Sequence, residues 1–137
     1  MVELRSSVVR VLHQGALVAL LVRASPVPAA TEFYTPEDAE LQVGRVVHSA
    51  DDVVAPHRHE ASVRTVSGCT EVLNVQRGRM IVDLYTKEGV IHDSLQLGDG
   101  DTLIILGAGH GVRFLEDTTL LEVKQGPYTR SLDKELL

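Results

Sequence analysis

Residues 71–124 read EVLNVQRGRMIVDLYTKEGVIHDSLQLGDGDTLIILGAGHGVRFLEDTTLLEVK, and this stretch decides the fold. Short runs rich in Val, Ile and Leu alternate there with turns that contain Gly or Asp. Strands at spacings of about 8–12 residues, separated by such turns, are typical of an antiparallel sandwich or barrel. The pattern predicts strands over residues 71–76, 79–85, 90–95, 102–106, 112–115 and 119–124.

The first half of the chain is predicted to add strands of the same kind. A β-branched run over 8–12, a turn at 13–15 and an apolar run to Val22 indicate an N-terminal hairpin. Thr35 before Pro36 is typical of a helix start, although only about one turn fits there. Further strands are predicted over 41–47 and 53–59. The expectation is a single all-β domain.

The composition is that of one globular domain. Of 137 residues, 44% are apolar and 23% are charged, and Gly and Pro punctuate the chain without forming tracts. The net charge of −6, without a basic patch, argues against nucleic acid and against an anionic membrane as partners. Because Cys69 is the one cysteine, no intrachain disulfide forms, and a cytoplasmic location is expected.

The apolar run GALVALLV at residues 15–22 resembles the hydrophobic part of a secretory signal. However, Glu3 lies in the segment that should be basic, and Arg23 separates the run from the small residues that follow. The run is also too short to span a bilayer, which takes about 20 residues in a helix. We therefore predict a buried strand, with a signal peptide as the alternative.

His57 and His59 are the first candidate functional residues. One residue separates them, so on a strand they share a face, whereas on a helix they would diverge. Pro56 and the two valines at 53 and 54 favour the strand. Two imidazoles on one face form a natural chelate for a divalent cation.

Glu71 and His110 are the second pair of candidates. Strand alternation puts Glu71 on one face with Leu73 and Val75, so it is predicted to be an inward carboxylate above an aliphatic floor. His110 lies between two glycines, where a backbone without side-chain bulk lets its imidazole approach other groups.

Together these residues resemble the two motifs of the cupin superfamily: HRH at 57–59, Glu71 separated by six residues from Gly78, and GAGH at 107–110 after a Gly-Asp loop. The resemblance implies a small jelly-roll-like β-barrel of two sheets. It divides the chain into N-terminal extra strands over 1–50, a cupin core over about 51–125 and a tail over 126–137. It also implies a metal ion held by His57, His59, Glu71 and His110.

The position of the glutamate departs from the family pattern. Cupins place it a few residues after the second histidine, whereas here eleven residues, 60–70, intervene. We predict that these residues form an extended loop that carries Arg64 and Cys69. Glu60 should point away from His59 by alternation, and only Glu71 keeps the interval to Gly78, so Glu71 is the preferred ligand.

The whole chain, including FYTPEDAELQVG and EVKQGPY, is also similar to small cupins associated with polysaccharide or nucleotide-sugar genes. Four protein ligands saturate tetrahedral Zn²⁺ but leave two positions open on octahedral Fe²⁺, Mn²⁺, Ni²⁺ or Co²⁺. The resemblance therefore implies a metal-dependent isomerase, epimerase or dioxygenase acting on a small polar or sugar-derived molecule. A non-catalytic ligand-binding or structural barrel is the alternative.

Four polar side chains are candidates for binding a small-molecule ligand at the mouth of the barrel: Arg64, Gln42, Glu122 and Lys124. Of these, Glu122 and Lys124 share one face of the last predicted strand. Arg64 or Lys124 would suit a carboxylate or a phosphate.

A homodimer is also expected. The N-terminal strand and the apolar run over 16–22 offer a sheet edge, cupins commonly pair through such edges, and an exposed edge needs a cover. The other histidines, His13, His48 and His92, are interpreted as core or surface residues. Cys69 is interpreted as a small residue in a turn, with a reactive thiol or a metal ligand as the alternative.

Overall fold

The structure, a computed structural model, describes residues 1–5, 7–130 and 134–137. Within those ranges it contains strands and turns but no helix, which confirms the all-β class. Its strands are β1 (Val2–Arg5), β2 (Val8–His13), β3 (Ala16–Val22), β4 (Glu32–Phe33), β5 (Gly44–Arg45), β6 (Glu71–Arg77), β7 (Met80–Tyr85), β8 (Ile91–Leu97), β9 (Thr102–Ile105), β10 (Gly109–Phe114) and β11 (Thr119–Lys124).

Two antiparallel sheets form the body of the molecule. One has six strands in the order β1-β2-β3-β9-β6-β11, and the other has three strands in the order β10-β7-β8. The short strands β4 and β5 pair only with each other. Neither of the two large sheets closes on itself in the part of the chain that the structure describes, so β10 and β11 are both edge strands.

The main core lies between the two large sheets. Alternate residues of a strand share a face, and the inward residues of β2, β3, β6, β7, β8 and β9 are almost all aliphatic. Leu21 of β3 and Leu103 of β9 are fully buried there, as is Val82 of β7 from the opposite sheet. This layer contains strands from both halves of the chain, so the N-terminal hairpin belongs to the same core as residues 71–124.

The outer face of the six-stranded sheet is also covered. Leu20 of β3 and Ile104 of β9 point to that side and are fully buried. Their cover is the segment 31–47, here called the flap, which packs Tyr34, Leu41 and Val43 against them. The middle strands of this sheet are therefore apolar on both faces, which explains why residues 16–22 read as one continuous apolar run.

Gly78 makes the turn between β6 and β7. Its φ of +116° lies in a region that side chains rarely adopt, and a Cβ there would lie 2.6 Å from the carbonyl oxygen of Asp117. Its backbone N–H donates to Oδ1 of Asp99 at 2.7 Å. The turn that fixes the interval from Glu71 to residue 78 therefore requires glycine.

Most of the strands predicted after residue 70 are confirmed to within two residues, and the N-terminal hairpin is confirmed as well. Two predictions need correction. The strand predicted over 41–47 is reduced to Gly44–Arg45, because the flap holds its apolar side chains through packing on the sheet. Residues 109–111, predicted as a bend, begin β10. The segment after Thr35 agrees with the prediction that only about one turn fits, because it is a single turn closed by the Ala39 N–H donating to the Pro36 carbonyl at 3.0 Å.

The strand predicted over 53–59 is also absent. Every residue from 48 to 69 is exposed, and residues 52–66 belong to no strand or turn. We call residues 48–66 the arm. A strand needs a neighbour to satisfy its backbone N–H and C=O groups, and no described strand lies beside the arm. The Val-rich local pattern was therefore insufficient to form a strand without a partner.

The expected position of the dimer edge is wrong in one respect. The run over 16–22 forms β3, which is flanked by β2 on one side and by β9 on the other, so it offers no edge.

The described residues also contain no helix of the length and apolar character that crossing a membrane requires.

Replacing Leu21 by alanine tests whether the N-terminal hairpin is part of the core. Leu21 is fully buried between the two sheets, so Leu21→Ala is expected to lower the free energy of unfolding by about 2–5 kcal/mol. Urea denaturation followed by circular dichroism measures the change. Val27→Ala, at a position 69% exposed, is the control and is expected to stay within about 0.5 kcal/mol. Equal effects of the two substitutions would contradict this packing.

Candidate acid–base site

Glu71 occupies the predicted inward position at the start of β6. Leu73 and Val75 follow it on the same face and are buried in the main core at 4% and 0% exposure. The Glu71 side chain lies at the open end of this layer and retains 16% exposure. The sequence-based prediction of an inward carboxylate above an aliphatic floor is confirmed.

His110 reaches the same place from the opposite sheet. It lies in β10 opposite Leu84 of β7, so its side chain is on the inward face. Its Nε2 lies 2.9 Å from Oε2 of Glu71. This contact joins the six-stranded sheet to the three-stranded sheet at the end where the layer between them opens.

Both ring nitrogens of His110 face acceptors. Besides the Glu71 carboxylate at Nε2, the Ala108 carbonyl oxygen lies 3.2 Å from Nδ1. An imidazole with two acceptors is best satisfied when both nitrogens carry a proton. The hydrogen bond with Glu71 accordingly raises the pKa of His110, and the bond from His110 is the main cause that lowers the pKa of Glu71 to about 2. The contact therefore favours the carboxylate of Glu71 and the protonated form of His110.

Glu122 adds a third ionisable group. It lies in β11, opposite Leu73 of β6, and its side chain is on the same face as Glu71. Its hydrogen bond with Glu71, followed by burial and by the charge of Glu71, raises the pKa of Glu122. In its protonated form Glu122 donates to Glu71, so Glu71 accepts from both of its neighbours. Glu122 is exposed, whereas Glu71 and His110 are partly buried, so Glu122 is the most accessible of the three.

A cavity of about 280 Å³ opens above these groups. Its polar wall contains Glu71, His110 and Glu122, together with Lys134 from the C-terminal tail. The apolar part of its lining consists of Leu73, Val112 and Leu120. Lys124 also acts electrostatically on Glu71 and Glu122. The cavity therefore combines an aliphatic floor with convergent charged groups, as small-molecule sites commonly do.

A larger cavity of about 580 Å³ lies at the other end of β6, around Arg77 and Gly78. Its carboxylates serve as turn and surface contacts: Asp99 accepts from the Gly78 N–H at 2.7 Å, and Glu116 pairs with Arg79 at 3.5 Å. Its lining includes no histidine and no apolar floor. The smaller cavity is therefore the better candidate for a functional site.

His57 and His59 do not reach this cavity. They lie in the exposed arm with their ring centroids 5.2 Å apart, and the Ala55 carbonyl oxygen lies 2.9 Å from Nδ1 of His57. Neither histidine lines the cavity, and Arg64, which is also in the arm and exposed, does not line it either. Of the four predicted metal ligands, the structure brings together only Glu71 and His110.

The arrangement as it stands does not fit a metal ion. Among the described residues, no group of three or more His, Cys, Asp or Glu side chains has the geometry to hold one. In addition, Nε2 of His110 is in contact with the Glu71 carboxylate. A metal ion would have to bind through the lone pair of that same nitrogen. The metal centre is therefore still a prediction from the sequence.

Two of the four residues predicted to bind a ligand at the mouth of the barrel lie at the site, because Glu122 lines the cavity and Lys124 lies beside it. Gln42 does not lie at the site. Its side-chain amide donates to the carbonyls of residues 36, 37 and 39 and closes the turn in the flap. Cys69 lies exposed just before the buried Thr70.

The remaining histidines make local contacts. The rings of His13 and His92 stack with their centroids 4.5 Å apart, and Nδ1 of His92 lies 2.7 Å from Oδ2 of Asp93. His48 is exposed, with its Nδ1 3.4 Å from Oδ2 of Asp52. These positions agree with their interpretation as core or surface residues.

Sequence reasoning predicted that the tail from Thr129 crosses the barrel or a partner subunit, but it assigned no residue of the tail to the site. Lys134 lines the cavity, and Leu137 lies so close to Gly109 that a Cβ on the glycine would approach its Cδ1 to 2.9 Å. The tail follows β11 without strand periodicity, so no local signal connects it to the site. A family-model scan and searches of curated proteins and of solved structures found no match for this chain.

The ion pair predicts a pH window for stability. Glu71, whose pKa falls from 4.5 to about 2, contributes stability that is present above pH 4.5 and is lost as the pH falls toward 2. His110, whose pKa is raised from 6.5, contributes stability that is present below pH 6.5 and is lost as the pH rises through its folded pKa. The pair therefore stabilises the fold most between pH 4.5 and 6.5.

We expect Glu71→Gln to lower the free energy of unfolding most within that window, and to move the pKa of His110 down toward 6.5. Urea denaturation as a function of pH and NMR titration of the His110 ring measure the two effects. Glu32→Gln, at an exposed position in the flap, is the matched control. An unchanged pKa of His110 in the Glu71→Gln variant would show that the contact does not exist in solution.

Proposed function

We propose that this protein is a small cupin-like barrel protein that binds a small polar or sugar-derived molecule in the open-end cavity and transfers a proton on it. The reaction class is that of an isomerase or epimerase. The observation that carries the proposal is the linked set of Glu122, Glu71 and His110 at the wall of a cavity with an aliphatic floor. Perturbed carboxyl and imidazole groups in a cleft are typical of acid–base sites.

The cupin-like part of the proposal rests on two observations. The segments HRH and GAGH and the interval from Glu71 to Gly78 resemble the family motifs, apart from the longer separation of Glu71 from His59. Two facing antiparallel sheets carry Glu71 and His110 at one open end. Fold alone does not determine activity, so the reaction class rests on the side chains of the site. A cytoplasmic location belongs to the same proposal, since the single cysteine rules out an intrachain disulfide.

Glu122 is the residue assigned to proton transfer. It is exposed to the cavity, and its raised pKa brings its protonation closer to neutral pH, where a general acid–base group is most effective. As a carboxylate it removes a proton from a carbon next to a carbonyl group, and the C–H electron pair moves toward the carbonyl oxygen. Returning that proton to the other face of the same carbon gives the epimer. Returning it to the neighbouring carbon, while the proton of the hydroxyl group passes to the former carbonyl oxygen, gives the isomer.

His110 and Lys134 are assigned to the developing oxyanion. The contact with Glu71 favours the protonated form of His110, and in that form the ring is held by Glu71 and by the Ala108 carbonyl and presents a positive charge at the wall of the cavity. Lys134 lines the same cavity and adds a second positive charge. Preorganised positive charge beside the oxygen of an enediolate stabilises that intermediate relative to the bound substrate.

A metal-dependent form of this function is a second candidate. β10 pairs with β7 on one side only within the described ranges, and His110 lies in this edge strand. An arm strand added to that edge would place two alternate side chains, those of His57 and His59, on the side of His110 and Glu71. The ion would be Fe, Mn, Ni, Co or Zn, and a dioxygenase would belong to this form. Non-catalytic binding of a small ligand in the same cavity is the third candidate.

Hydrogen exchange into candidate substrates tests the proton transfer. We expect the protein to catalyse exchange of the C–H next to the carbonyl of a small hydroxy-ketone or aldose for deuterium in D₂O. The Glu122→Gln variant should lower the rate by about 10²–10⁴-fold, because the proton acceptor is removed. One-dimensional NMR of a panel of such sugars measures the rate.

Glu116→Gln is the control for this experiment, since Glu116 is an exposed carboxylate at the other end of the sheets. Ligand binding without exchange for any member of the panel would sink the catalytic proposal and favour the binding module. Exchange that survives in Glu122→Gln would assign the proton transfer to another group.

Metal analysis separates the two catalytic candidates. The metal-dependent form predicts stoichiometric divalent metal in the purified protein, lost in the double variant His57→Ala, His59→Ala. Binding of Co²⁺ followed by its visible absorption spectrum gives a readout that does not depend on activity. His48→Ala, which removes an exposed histidine outside the set, is the control. Failure of the purified protein to bind Co²⁺ through these residues would remove the metal-dependent form.

A further inference from the structure

Two polar side-chain atoms beneath the flap are buried without a hydrogen-bond partner among the described residues: Oη of Tyr34 and Nη1 of Arg45. Tyr34 as a whole is only 8% exposed. Buried polar atoms in folded proteins nearly always have a partner, because burial without one costs free energy. These two atoms therefore point to a further group that binds between the flap and the sheet.

The pairing of β4 with β5 places both side chains on the same face of the flap. Arg45 lies opposite Glu32, and the Tyr34 N–H donates to the Val43 carbonyl at 2.8 Å, which continues the ladder. Alternate residues of a strand share a face, so Tyr34, Val43 and Arg45 share one. This face meets the sheet, because Tyr34 and Val43 pack on it, whereas Phe33 on the opposite face is 58% exposed.

The guanidinium of Arg45 lies at the end of β3. Its Nη2 lies 2.7 Å from the carbonyl oxygen of Arg23 and 3.4 Å from that of Ala24, the two residues that follow the strand. Val22, the last residue of β3, belongs to the same apolar cluster as Tyr34. Both side chains are therefore directed into the contact between the flap and the outer face of the six-stranded sheet.

No carboxylate of the described residues balances the charge of Arg45. Its hydrogen bonds go to the two backbone carbonyls, and Glu32, which lies opposite it, is exposed and forms no ion pair with it. A guanidinium stays protonated and only donates, and a tyrosine hydroxyl can donate as well. A buried cation is normally paired with an anion. The group that suits both atoms is therefore a negatively charged acceptor.

We infer that a small anion binds beneath the flap and accepts hydrogen bonds from Nη1 of Arg45 and from Oη of Tyr34. The ligand is a single negatively charged acceptor, which is a halide ion or one oxygen of a carboxylate or a phosphate. Both donors belong to the flap, and Arg45 also contacts the end of β3, so the anion stabilises the closed position of the flap.

This site is separate from the candidate acid–base site. It lies on the outer face of the six-stranded sheet, whereas Glu71 and His110 lie at the open end of the layer between the two sheets. The inference therefore goes beyond the proposed activity and does not depend on it.

Stability in different salts tests the site. A ligand that binds only the folded state lowers the unfolding equilibrium constant by about tenfold when its free concentration is about ten times its Kd. We expect this effect in urea denaturation with increasing sodium bromide, sodium formate or sodium phosphate, and the three salts distinguish a halide, a carboxylate and a phosphate. Because salts also act on the whole protein surface, the readout is the difference in response between the wild type and the variants.

Two variants remove the donors one at a time. Arg45→Gln removes the charge and should abolish the specific response, and Tyr34→Phe removes one hydrogen bond and should weaken binding by about tenfold. Tyr128→Phe, at a position 69% exposed, and Arg58→Gln, in the exposed arm, are the matched controls and should respond as the wild type does. Circular dichroism shows whether each variant is folded.

Hydrogen exchange and crystallography give readouts at the site itself. The anion should slow exchange of the Tyr34 amide, which donates to Val43 within the flap. A crystal grown in the most effective salt should show the anion in contact with Nη1 of Arg45 and Oη of Tyr34. A water molecule there, or the Glu32 carboxylate turned onto Arg45, overturns the inference, as does an equal salt response of the wild type and both site variants. A response lost in Arg45→Gln but unchanged in Tyr34→Phe overturns the two-donor site.

Discussion

Burial of both faces of the middle strands is the constraint on which the rest of the structure depends. Leu20 and Leu21 are neighbours in β3, point to opposite sides, and are both fully buried. Ile104 and Leu103 do the same in β9. A strand that is apolar on both faces requires a cover on each, and here the covers are the three-stranded sheet and the flap. The positions of Glu71, Glu122 and His110 at the open end depend on this layering.

The open end lies at the edge strands of the two large sheets, β10 and β11. The three-stranded sheet ends at β10 in the described structure, whereas the six-stranded sheet continues through β6 to β11. Inward residues near this end therefore have a partly open space above them, and Glu71 and Glu122 occupy it. A carboxylate there needs a cationic or hydrogen-bonding partner, and His110 supplies it from β10 at 2.9 Å. The same contact raises the pKa of His110 and so favours the charged form of its imidazole.

The residues of the arm show the limit of a local pattern. The spacing of His57 and His59 places them on one face of a strand only if a strand forms. In the described structure, residues 48–69 are all exposed, and no neighbouring strand satisfies the backbone there. The C-terminal tail shows the opposite case, because Lys134 reaches the site without any pattern that predicts it. Both outcomes depend on contacts between segments that are far apart in sequence.

The sequence by itself determined the features that repeat every two residues. It predicted the strands after residue 70, the all-β class, the inward position of Glu71 above Leu73 and Val75, and the shared face of Glu122 and Lys124, because strand alternation is a local property. The tertiary structure alone decided which strands are edges, so β3 is central and β11 is not. It also decided that Glu71 meets His110 and not His57 or His59, because that contact depends on how two sheets are stacked, and the pattern along one strand does not contain this information.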